Sequence, residues 1–211
     1  MKREHKENKS VIVPDPVYWF PLTADANDVM GNWIGWSTIS GVTYSSNGAY
    51  FNGSQKIEKT NASISHANFH TFAVEVMFPQ LYATGLYCMF KYACTRYNTF
   101  NAFNYAPGWS QDLNCATYYN NSYGVLSISS VPFVANQFYT LLVRYNYDTG
   151  MSELFIDGVL RNSATKVIPA SETVNNVYIG VNNGTDRYFK GYIRNVRMWN
   201  VMLTDEQISM L

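Results

Sequence analysis

The sequence predicts an all-β fold, a run of antiparallel strands that ends in a short C-terminal helix. Three observations carry this. Aromatic residues are 16% of the 211 residues, with 17 Tyr, 12 Phe and 5 Trp, and such side chains suit pleated, half-buried faces better than helices. Along Gln137 to Tyr147, Leu141, Val143, Tyr145 and Tyr147 alternate with Thr140, Leu142, Arg144 and Asn146, the period of a strand. Turn residues then recur at hairpin spacing.

The elements follow in order. Asp148-Thr149-Gly150 supplies turn chemistry between the first strand and its return, Ser152 to Ile156. Asp157-Gly158 comes next, a dipeptide suited to a two-residue type I′ hairpin because both central positions need positive φ. Val177 to Val181 and Gly191 to Trp199 read as further strands. Thr204 to Leu211 closes the chain as a helix, with a Thr-x-x-Gln capping box (Thr204, Gln207) and apolar Ile208 and Leu211.

Four phrases stand in sequence here: Glu153-Leu154-Phe155-Ile156-Asp157-Gly158, Tyr178-Ile179-Gly180, Gly191-Tyr192-Ile193-Arg194-Asn195-Val196-Arg197-Met198-Trp199 and Leu203-Thr204-Asp205-Glu206-Gln207-Ile208. Their order resembles the C-terminal half of the laminin-G-like, concanavalin-A-like lectin/glucanase domain family. Tyr18-Trp19-Phe20-Pro21-Leu22, the loop Asp25 with Asp28-Val29-Met30-Gly31-Asn32, Gly48 to Gly53 and Thr71 to Pro79 are similar to that family's N-terminal half. The resemblance runs from about Val17 to the end and is weakest over Gln80 to Ser130. It implies a two-sheet antiparallel jelly-roll sandwich of the concanavalin-A-like kind over residues 17–211, preceded by a charged arm over residues 1–16.

Charged residues are 14% of the chain, and 15 basic groups balance 15 acidic ones. Neutrality argues against nucleic acid, which calls for a basic surplus on one face. No run approaches the ~20 apolar residues of a membrane-spanning helix, so membrane insertion is not expected. Met1 to Ser10 is charged, and Val11-Ile12-Val13 is interrupted by Pro14, so no secretory signal is expected. Cys88, Cys94 and Cys115 lack redox or zinc spacing and read as small buried thiols. Five Asn-x-Ser/Thr sequons occur, at Asn8, Asn52, Asn61, Asn120 and Asn183; among 22 asparagines they read as composition.

The same architecture hosts glycoside hydrolases, which place two carboxylates across the scissile bond. The seven glutamates here are scattered singly, and Glu75 reads as one outward polar residue of an alternating strand. No catalysis is expected. The resemblance leaves calcium as the one open cofactor, with Asp25 and Asp28 as ligands beside Asn27 and Asn32. The family's acidic pair in the late strand is here Arg194-Asn195, and the same loop also reads as a turn that Asp28 and Asn32 cap around an αL Gly31.

From Tyr82 to Tyr123 aromatic rings interleave with amides, the chemistry of sugar stacking and hydroxyl recognition. Tyr97, Tyr105, Trp109 and Tyr119 are the rings expected on an exposed binding surface. The functional expectation is a non-catalytic recognition or assembly module. Its first form is a bacteriophage virion structural or decoration protein with an adhesive surface, located in the virion, its arm anchored on other virion proteins. The alternative is a free-standing carbohydrate-binding module, soluble and without a secretory signal; a glycoside hydrolase ranks third. Cell-surface glycans and a second copy of the chain are the other expected partners.

Overall fold

Alternating side chains and frequent turn residues resolve into strands in a computed structural model, which describes residues 10–94, 100–106, 112–119, 122–129, 131, 133–165 and 172–211, with backbone alone at 100–102, 112, 116–119 and 122–125. The strands are β1 (Tyr18–Phe20), β2 (Thr38–Ser40), β3 (Thr43–Ser45), β4 (Gly48–Asn52), β5 (Lys56–Lys59), β6 (Ile64–Ser65), β7 (Thr71–Met77), β8 (Tyr87–Cys94), β9 (Phe100–Ala106), β10 (Asp112–Tyr119), β11 (Ser122–Ile128), β12 (Phe138–Tyr145), β13 (Met151–Ile156), β14 (Val159–Thr165), β15 (Thr173–Ile179) and β16 (Lys190–Trp199). One helix, α1 (Asp205–Ile208), follows them, and a 3₁₀ turn spans His66–Phe69. The first sheet runs β14-β13-β12-β7-β16-β4-β3 with β1 on β16; the second runs β11-β10-β9-β8-β15-β5-β2 with β6 on β15. All pairings are antiparallel among the described strands, as a jelly-roll sandwich requires.

The core forms where the alternating faces meet. Phe72, Val74 and Val76 of β7 and Leu141, Val143 and Tyr145 of β12 are all buried, and the register sets Val143 opposite Phe72 and Leu141 opposite Val74. Phe72 reaches across to the second sheet, its ring 5.5 Å from Phe90, 5.7 Å from Tyr92 and 5.1 Å from Phe103. Leu142 lies in the other phase of β12 yet is also buried. It belongs to a second cluster with Ala73, Phe155, Trp199, Leu203 and Ile208, in which α1 covers the outer face of the first sheet.

The local signals around α1 and the hairpin hold. Thr204 Oγ1 accepts from Gln207 N at 3.2 Å, and Gln207 Oε1 accepts from Thr204 N at 2.9 Å, the expected capping box. Asp157 and Gly158, at φ 49° and 74°, connect Ile156 to Val159, which face each other in register. A Cβ on Gly158 would sit 3.3 Å from Ser209 Cα. Gly158→Val is therefore expected to lower stability by about 1 kcal/mol or more; an unchanged thermal midpoint would count against this turn.

The segment 80–130, least patterned in sequence, supplies β8 to β11 of the second sheet. In β8, strict alternation would group Cys88 with Phe90. A register shift between Cys88 and Phe90 breaks the phase. Phe90 then faces the core beside Phe72, whereas Cys88 interacts electrostatically with Lys91, Asp186 and Arg187. The latter part of the N-terminal arm rests on the molecule's own surface: Gln207 Nε2 donates to Ile12 O at 2.8 Å, and Trp199 Nε1 to Pro14 O at 2.8 Å.

Candidate functional site

Asp28 organises the loop after β1. Its Oδ1 accepts from Trp19 N at 2.8 Å and Met30 N at 3.1 Å, and its Oδ2 from Asn32 N at 2.8 Å and Trp33 N at 3.0 Å. Gly31 takes the left-handed position at φ 74°. Asn32 Nδ2 ties the turn to Val17 O at 2.9 Å. The loop is thereby folded back on β1, and Trp33 is delivered onto Tyr18 and Phe20, with ring centroids at 5.2 and 5.1 Å in edge-to-face contact. Trp36 lies beside it at 4.7 Å, its Nε1 donating to Ala26 O at 2.7 Å.

The two indoles are half-buried, and they line an open cleft of about 350 Å³ together with Asn27, Asp28, Ile39 and the backbone of Gly31 and Gly35. That volume is within the range that holds a small ligand. Ile39 of the lining is 49% exposed, and Val29 and Ile34 of the same segment are each 58% exposed, apolar surface left to solvent. Asp25 and Asn27 stand exposed at the edge, with Asp25 accepting from Asn27 N at 2.8 Å and Nδ2 at 2.7 Å. Tyr44 lies within the field of Asp25; burial first, then that carboxylate, raises its phenol pKa. Trp33 Nε1 and Tyr44 Oη are buried with no hydrogen-bond partner, two unmet polar groups in this region.

The candidate calcium ligands do not fit a cation. A carboxylate has about four lone-pair sites, and all four on Asp28 face backbone N–H donors. Asp25 is engaged by Asn27. A hard cation would have to displace these donors and find further oxygens. Of the two readings of the loop, the geometry matches the capped turn.

The candidate aromatic surface separates into its parts. Tyr105 is only 2% exposed and packs on Phe78 and Phe133 at 5.2 and 5.0 Å, so its place on an exposed surface is corrected: it faces the core. Tyr97 and Trp109 lie outside the described residues, and Tyr119 is described by its backbone alone. Pleating sorts the rest. Phe103 and Tyr105 turn inward, while Asn104, Asn114 and Ser127 stand opposite one another across β9, β10 and β11 on the other face. Ser127 Oγ donates to Asn114 Oδ1, and Asn104 Oδ1 is buried without a partner.

Trp33 and Trp36 were not among the expected site residues. The signal that could have found them is the run Gly31-Asn32-Trp33-Ile34-Gly35-Trp36, in which large apolar side chains sit among glycines and match neither strand nor helix period.

No curated protein sequence matches the chain. Among solved structures, domain 4 of a GH43 extracellular arabinanase from Geobacillus stearothermophilus, in complex with arabinotriose, aligns at TM-score 0.68 and 19% identity over 93% of this chain and 97% of its own. The binding domain of botulinum neurotoxin serotype D aligns at TM-score 0.70 and 14% identity over 93% of this chain and 51% of its own. The CBM40 of a Ruminococcus gnavus IT-sialidase, bound to α2,6-sialyllactose, aligns at TM-score 0.54 and 12% identity, covering 68% of this chain and 84% of its own. At these identities the likeness is one of fold. The profile of the concanavalin A-like lectin/glucanases superfamily matches residues 51–209, most of the chain, from the end of β4 through α1, and the chain belongs to that superfamily.

Proposed function

We propose that this chain is a non-catalytic glycan-recognition module that binds a sugar in the cleft over Trp33 and Trp36. The observation that carries the reading is the half-buried indole pair that lines an open cleft together with Asn27, which is in turn hydrogen-bonded to exposed Asp25. Sugar C–H faces stack on indoles, and side-chain amides and carboxylates bond the hydroxyls. Two of the structural neighbours are complexes with oligosaccharides, arabinotriose and sialyllactose. The strand glutamates suit a binding rather than a hydrolytic reading: Glu58 is paired with Lys56 at 2.7 Å, Glu75 with Arg194 at 2.7 Å and Glu153 with Arg144 at 2.6 Å. A retaining pair would instead face each other at about 5–5.5 Å across a cleft.

Tryptophan fluorescence titrated with a panel of arabinan, sialylated and other cell-surface oligosaccharides tests the reading. Trp36→Ala is expected to weaken binding at least about tenfold, equivalent to about 1.4 kcal/mol. Asn27→Ala, at an exposed position, is expected to weaken it while leaving the melting midpoint unchanged. Binding that is absent in the parent, or equal in both variants, would remove the cleft from consideration.

A virion setting for the same adhesive surface is the second reading, with the charged arm as anchor on other virion proteins. What favours a direct test is that Ile12 and Pro14 are held on the domain, so a chain beginning at Val11 keeps those contacts. It is expected to melt like the parent but to enter particles less efficiently. The difference should fade at high salt, because exposed charge contacts are individually weak and screened within about 8 Å. Equal incorporation would eliminate the anchor.

No helix among the described residues is long and apolar enough to cross a membrane.

A further inference from the structure

Lys91 is 3% exposed on β8, and its Nζ donates to Asn182 Oδ1 at 2.9 Å and to Asn183 Oδ1. Asn182, 6% exposed, turns the other end of its amide toward an acid: Nδ2 donates to both carboxylate oxygens of Asp186, at 2.8 and 3.1 Å. The backbone holds this arrangement. Asn182 N donates to Asp186 O at 2.8 Å and Asp186 N to Asn182 O at 3.2 Å, so the two residues form a bridge closing a tight loop. An amine, a carboxamide and a carboxyl group thus stand in line, brought together from β8 and from the connection between β15 and β16.

We propose that Lys91 and Asn182 form an intramolecular isopeptide bond, with Asp186 as the proton carrier. The Nζ lone pair attacks Cγ of Asn182, the new C–N bond forms and the Cγ–Nδ2 bond breaks. The Lys91 ammonium gives up two protons. Asp186 relays them to the departing nitrogen, which already carries two hydrogens and leaves as ammonium. One secondary amide and one ammonium ion result, with no change of total charge and no oxidant or co-reactant.

Each partner suits its role. Burial lowers the Lys91 pKa, opposed by Cys88 and Asp186, so more of the amine is neutral and nucleophilic than on an exposed lysine. The neighbouring Cys88 thiol is pushed up to about 12 by burial and stays protonated, so it does not compete. Asp186 touches the leaving nitrogen and is half-exposed, which gives the ammonia a way out. Fixed proximity replaces a bimolecular encounter and removes that part of the barrier to amide exchange between side chains. The bond would tie the middle of the second sheet to the connection before β16, a covalent constraint on the unfolded chain of the kind a disulfide supplies.

Intact mass of the full, denatured chain, followed by proteolytic peptide mapping, tests this. The parent is expected to be lighter than its sequence by one ammonia and to yield a branched peptide joining Lys91 to Asn182. Asp186→Ala, at an exposed side chain, is expected to stay folded by circular dichroism, regain the full sequence mass and give linear peptides. A parent at full mass overturns the proposal. So does a parent lighter by one ammonia whose Lys91 peptide is linear, since that assigns the loss to a succinimide at an Asn-Gly step such as Asn183-Gly184. An Asp186→Ala chain that still yields the branched peptide overturns the role of Asp186.

Discussion

Phe72→Ala is expected to destabilise the sandwich by about 3–5 kcal/mol, the cost of lost transfer energy plus a residual cavity for a buried aromatic. Phe72 is 1% exposed near the start of β7, and its ring meets Phe90, Tyr92 and Phe103 of the opposite sheet. Those neighbours lie on adjacent paired strands and cannot collapse into the gap without breaking register. Urea unfolding followed by fluorescence measures the change. A loss under about 1 kcal/mol, the size of an ordinary substitution, would mean that the two sheets do not meet through this ring.

The second large effect is electrostatic. Glu75→Ala should cost about 3 kcal/mol, because removing one member of a largely buried ion cluster strands the others. Glu75 Oε2 accepts from Arg194 Nε at 2.7 Å, while its Oε1 accepts from Asn195 Nδ2 at 2.8 Å and Arg197 Nη2 at 3.5 Å. Glu75 and Arg197 side chains are 12% and 14% exposed. Arg197 Nε has no partner, and burial already lowers the pKa of this guanidinium. Arg194 also stacks 3.7 Å from the centre of the Phe138 ring, so losing the acid leaves a positioned cation facing another cation. Glu75→Gln keeps the shape and one acceptor and should fall between the parent and alanine in thermal midpoint. Equal stability of all three would show that solvent screens the cluster.

Glu75 also marks where a residue-level reading stops. Its outward orientation follows from alternation along Thr71–Met77. Its partners do not, since Arg194, Asn195 and Arg197 lie about 120 residues away. A register shift between Arg194 and Arg197, with Asn195 at φ 49°, brings all three to one side of β16. Tyr105 is the reverse case. Its type suggested an exposed ring, but its phase with Phe103 puts it in the core, and in a sandwich the phase prevails because a ring on the inner face has nowhere else to go.

The Asp157-Gly158 hairpin, the Thr204–Gln207 capping box and the buried phases of β7 and β12 were legible from the residues alone, since turn sterics, cap hydrogen bonds and two-residue periodicity act within a few positions of the chain. The remainder depended on contacts between distant segments. The covering of Leu142 by α1, the reversed phase of Cys88, the closure of the Asp28 loop onto Trp19 and the meeting of Lys91 with Asn182 are such contacts. No window of neighbouring residues encodes them, because burial and strand register are properties of what packs opposite, and that partner is chosen when the two sheets close.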